Sequence, residues 1–78
     1  MAKLSKTGTT ILWRLERKTQ ERDLTERIET YAMRSDGVLL SKLVVELHDG
    51  RHNYGWKVAT KKPHPEAKTR LQERGFAP

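Results

Sequence analysis

Two Asp-Gly pairs, Asp36-Gly37 and Asp49-Gly50, each fall between segments rich in apolar residues. Asp-Gly in that setting is among the strongest short-range hairpin signals, because the tightest hairpin turns need positive φ at their central positions. The chain should therefore reverse twice and lay down three antiparallel segments. Read as two-residue turns, the pairs also set a register. Around Asp36-Gly37, Ile28 stands opposite Val45, Thr30 opposite Leu43 and Ala32 opposite Ser41. Around Asp49-Gly50, Val45 meets Tyr54, Leu43 meets Trp56 and Ser41 meets Val58. Both turns put apolar side chains on one common face, whereas a slip of one residue would invert a strand relative to its neighbour.

A further strand precedes these. Ile11, Trp13 and Leu15 alternate with Leu12, Arg14 and Glu16, which is strand periodicity. A loop over residues 20–23 sets Leu15 against Ile28, Trp13 against Thr30 and Ile11 against Ala32. On the reverse face it sets Arg14 against Glu29 and Glu16 against Arg27, each opposite-charge pair contributing ~0.2–1 kcal/mol. A shorter alternative keeps residues 24–33 helical, with Leu24, Ile28 and Tyr31 as its stripe and Asp23 with Glu26 as a capping box.

Pro63-His64-Pro65 ends the sheet, since proline cannot donate to a ladder. A helix follows, with Pro65 suited to its first position, Glu66 to the positive end of the dipole and Arg70 and Arg74 to the negative end. Gly75 reads as the left-handed stop, after which Phe76 folds back on Leu71. The expected fold is α+β, a four-stranded antiparallel β-meander followed by one C-terminal α-helix. It forms a single small domain over residues 9–78 behind a loose N-terminal arm, residues 1–8.

Composition narrows the function. At 78 residues the chain hides only ~60% of its unfolded surface. With no cysteine it has neither disulfide nor thiolate metal site to compensate. No apolar run approaches the ~20 residues of a membrane span and the N-terminus does not resemble a signal peptide, so a cytoplasmic protein with no membrane partner is expected. Sixteen Lys and Arg against ten Asp and Glu leave a net charge of +6, which favours polyanionic partners. The acids are interspersed with the bases, a pattern also typical of a solvated face.

No serine, threonine or histidine stands in a motif of nucleophilic catalysis, and the isolated glycines make no phosphate cradle. His48 and His52, with Asp49, lack the count and parity of a metal site, and no cofactor is implied. A binding module rather than an enzyme is the expectation. The derived register brings Lys42 opposite Lys57, with Tyr31 on the other side of Lys42 and Arg14 and Arg27 on the same face. Such a strip could take phosphates and a stacked base, with Lys61 and Lys62 beside it, so nucleic acid is the first partner considered. Flexible lysines resting in water, Lys42 over Tyr31, explain the same residues without a ligand. On that face Leu12, Met33, Leu40 and Val44 form an apolar cluster suited to a protein partner or to a homodimer interface.

Overall fold

A computed structural model describes residues 9–22 and 25–78. The N-terminal arm, residues 1–8, and the Asp23 half of the capping box lie outside the described residues. Four strands, β1 (Ile11–Gln20), β2 (Glu26–Arg34), β3 (Leu39–Leu47) and β4 (Gly50–Thr60), are followed by one helix, α1 (Ala67–Glu73). The strands form a single antiparallel sheet in chain order. The α+β meander is therefore the fold, and residues 26–33 are strand rather than helix.

The register differs from the two-residue reading of the turns. Arg34 N–H donates to the Val38 carbonyl at 2.9 Å and Gly37 N–H to the Arg34 carbonyl at 2.9 Å, so Ser35, Asp36 and Gly37 all lie in the loop. A loop of this kind asks for positive φ at its last residue alone, and Gly37 has φ +89°. The Asp36 carboxylate fixes it, accepting from Arg34 Nε at 2.9 Å and Nη2 at 2.6 Å and from Val38 N–H at 3.3 Å. One extra loop residue shifts β2 by one against β3, so Ile28 faces Val44, Thr30 faces Lys42 and Ala32 faces Leu40. On its other side β2 meets β1 through Leu15–Tyr31, Arg17–Glu29 and Lys18–Ile28. The expected pairs Arg14–Glu29 and Glu16–Arg27 do not form; instead Arg17 Nη2 contacts Glu29 Oε1 at 2.6 Å.

At the last turn Leu47 pairs with Gly50, leaving His48-Asp49 as the link. Further along, two irregularities shift the β3–β4 pairing. Tyr54 and Gly55 together oppose Leu43, and Ala59 is inserted before Thr60 pairs with Leu39. The first is a β-bulge with Gly55 at φ +76°, a conformation that penalises any side chain.

These shifts sort the side chains into two faces. On one, Trp13, Leu15 and Arg17 share rows with Met33, Tyr31 and Glu29 of β2, and with Leu39, Ser41 and Leu43 of β3. On the other, Arg14, Glu16 and Lys18 share rows with Ala32, Thr30 and Ile28, and with Leu40, Lys42 and Val44. The helix packs on the first. Leu71 and Phe76 form a buried cluster with Leu15, against which Trp13 and Tyr31 rest. Its end follows the expectation: Phe76 N–H donates to the Leu71 carbonyl at 3.0 Å and Gly75 N–H to that of Gln72 at 3.1 Å, a Schellman stop. Its start does not, since Pro65 lies in a turn before the helix and Glu66 N–H donates to His64 Nδ1 at 3.0 Å. Beyond the stop, Ala77 and Glu16 exchange backbone hydrogen bonds of 2.7 and 2.9 Å, partly covering the β1 edge.

Among the described residues no element covers the second face, yet Ile28, Thr30, Ala32 and Val44 on it are buried. All four belong to the central strands, and the stems of Arg14, Glu16, Lys18 and Lys42 stand beside them in the same rows. The Thr30 hydroxyl, 1% exposed as a residue, has no hydrogen-bond partner among the described residues.

Candidate functional site

The corrected register disperses the expected cationic strip. Lys42 lies opposite Trp56, and Lys57 lies opposite Ser41 on the helix-bearing face. Tyr31 is on that face too, its ring 5.3 Å from Phe76 in an edge-to-face contact, so it does not neighbour Lys42 across the row. Arg27 also shares the helix-bearing face and reaches Glu29 Oε2 at 3.9 Å. Arg14 and Lys42 remain together on the open face, while Lys61 and Lys62 follow β4 and are exposed. The expected apolar cluster separates as well. Met33 belongs to the helix-bearing face, Val44 is buried in the floor of the open face, and Leu12 sits exposed at a β1 irregularity. Leu40 lines a trough on the open face with Ile11, Ala32, Trp56 and Val58, flanked by Arg14 and Arg34.

A different grouping emerges along β4. This strand is an edge, hydrogen-bonded on one side to β3 alone. From Gly50 to Pro65 the chain carries Arg51, Lys57, Lys61 and Lys62 and not one Asp or Glu. Two acids on other strands and loops occupy cations near them: Glu29 holds Arg17 and Arg27, and Asp36 holds Arg34. Among the described residues no acid pairs with Arg51, Lys57, Lys61 or Lys62. Arg51 stands across from Glu46 in the β3–β4 register, whereas Lys57 faces Ser41 and Lys61 and Lys62 lie beyond the paired rows, so these three lysines make a local attraction for phosphate.

The same strand exposes two large aromatic side chains, Tyr54 at 56% and Trp56 at 46%. Residues two apart on a regular strand share a face. The bulge at Tyr54 and Gly55 breaks that rule. Trp56 lines the trough on the open face, whereas Tyr54 lines a cleft on the helix-bearing face with Tyr31, Ser41, Leu43 and Lys57. Lys42 Nζ lies 5.0 Å from the centroid of the Trp56 ring, and Lys42 and Lys57 both line the cleft with Tyr54.

Sequence reasoning gave Tyr54 and Trp56 to the core and passed over Arg51. Two signals in the sequence point to the grouping. An isolated glycine within a strand pattern, here between Tyr54 and Trp56, marks a bulge, and a tract that lacks acids in a chain one-third charged stands out against its surroundings. Among the described residues no group of three or more His, Asp or Glu side chains could hold a metal, and no helix is long and apolar enough to cross a membrane. Comparison with protein-family models, with curated proteins and with solved structures finds no match.

Proposed function

We propose that this chain is a small non-catalytic nucleic-acid-binding module whose contact surface is the β4 side of the sheet. Arg51, Lys57, Lys61 and Lys62 engage phosphates, with Lys42 and Arg14 adding charge on the open face. The observation that supports this most is the acid-free edge strand with unpaired cations and two half-exposed aromatic rings. Cations give affinity for the backbone and rings give contact with bases.

Binding of a fluorescently labelled oligonucleotide, followed by anisotropy across a salt series, is the test. If Lys42, Arg51, Lys57, Lys61 and Lys62 each neutralise one phosphate, log K against log salt has a slope of about −3.5 for a single strand. Affinity then falls ~100-fold between about 50 and about 200 mM salt. Absence of binding at low salt, or binding indifferent to salt, removes the proposal. Replacing Lys57, Lys61 and Lys62 together by Glu should abolish binding while leaving the fold intact, since all three are exposed.

A second reading, a protein-binding module, is favoured by the apolar trough of Ile11, Leu40, Trp56 and Val58. Its occupant would be a second copy of this chain, since among the described residues no element covers the face on which the trough lies and such a patch on two copies can pair with itself. Light scattering over a concentration series decides it: a dimer dispersed by Val58→Glu supports this reading, and a persistent monomer removes it.

A further inference from the structure

Resting on the nucleic-acid reading, we infer that the ligand is a single strand that straddles β4, with one base stacked on Trp56 and another on Tyr54 on opposite sides of the sheet. The bulge carries this inference. Gly55 at φ +76° turns the strand so that neighbouring aromatics point to different faces. Tyr54 opens onto the cleft with Ser41 and Lys57, and Trp56 onto the trough with Leu40 and Val58. Because β4 is the outermost strand, nothing in the sheet separates the two rings except β4 itself.

A duplex cannot use both. Its bases are stacked inside the helix, and a rigid rod can lie along one side of an edge but cannot fold over it. A single strand offers an exposed π-face at every base and turns freely between nucleotides. Cations lie beside both rings: Lys42 is near Trp56 and also lines the cleft with Tyr54, and Lys57 lines both the cleft and the trough, so phosphate charge is met on either side of β4. Recognition by stacking is tolerant of sequence, so deoxyribo- and ribo-oligonucleotides should both bind.

The test uses the whole chain and three labelled probes of one sequence: a single-stranded DNA, the matching single-stranded RNA, and the DNA duplex. We expect both single strands to bind tenfold or more tightly than the duplex at low salt. Tryptophan fluorescence should be quenched by either strand, and Trp56→Phe should remove most of the quenching, which assigns it to Trp56 rather than Trp13. Tyr54→Ala and Trp56→Ala should each weaken single-strand binding about tenfold, with the ring-preserving Tyr54→Phe and Trp56→Phe restoring it. Lys61→Glu with Lys62→Glu should weaken every probe. Equal or tighter duplex binding, or insensitivity to both alanine variants while the charge variant still weakens binding, overturns the straddling geometry and leaves the nucleic-acid reading standing. No binding of any probe at low salt overturns both.

Discussion

Phe76 lies outside every helix and strand, yet its removal should cost the fold at least as much as that of Leu71, the buried residue of α1. Its ring is 3% exposed and packs with Leu15 and Leu71. Tyr31 meets it edge-on at 5.3 Å, and the Arg17 guanidinium lies 4.7 Å from its centroid. Truncating a buried Phe to Ala typically costs ~3–5 kcal/mol. A domain of 78 residues has only about 4–12 kcal/mol in total. Phe76→Ala should therefore consume a large share of stability and release Ala77 from Glu16. Phe76→Leu keeps most of the apolar volume. It loses the edge-to-face contact, ~0.5–1.5 kcal/mol, and the cation–π contact, ~0.5–1 kcal/mol, and should cost about 1–2.5 kcal/mol. Urea unfolding followed by circular dichroism measures both through the shift in midpoint at constant slope. The reasoning fails if Phe76→Ala costs less than about 1 kcal/mol, or if the Leu and Ala variants lose the same amount.

Gly55→Ala meets no atom within 4 Å of the added Cβ, so its cost is conformational only: about 1–2 kcal/mol for the positive φ, offset by ~0.4–1 kcal/mol from a stiffer unfolded chain. Thermal melts should show a small loss for Ala and a smaller one for Gly55→Asn, which tolerates this conformation; the reverse order would contradict the bulge. Thr30→Val removes an orphaned buried hydroxyl and should leave stability unchanged or raise it by about 1 kcal/mol, with a loss beyond that in urea titration showing that the hydroxyl is satisfied. Hydrogen bonding by the Arg34 guanidinium, helped by the Val38 N–H, holds the Asp36 carboxyl below its ordinary range. Its contribution is present above about pH 4 and fades as pH falls through the lowered value, so the stability gap between wild type and Asp36→Asn should close in acid; a gap unchanged down to pH 2 would refute the pairing.

The charge pattern along the chain was legible only in part. Alternation of Lys, Arg, Glu and Asp suggests a solvated surface, and for β1 and β2 this is what the structure contains, with Arg17 and Arg27 sharing the Glu29 carboxylate. The cationic edge depends on β4 being outermost, which in a meander follows from chain order. The separation of Tyr54 from Trp56 depends on Gly55, whose effect is invisible to any two-residue periodicity. Tyr31 and Lys57 fall on the face opposite Lys42 for two separate reasons: the added loop residue at Asp36 carries β2 to the opposite parity, and the irregularity at Tyr54 and Gly55 does the same for the following part of β4.

The number, order and direction of the strands, and the glycine stop that turns Phe76 back onto Leu71, were determined by the amino-acid sequence. Each rests on chemistry within a few residues: alternating apolar side chains, a proline without a donor, a glycine free to take positive φ. The tertiary structure decided which side of the sheet each side chain occupies. Parity changes with every inserted residue, and only the burial and pairing of whole strands against one another distinguishes registers that local chemistry leaves nearly equal in energy.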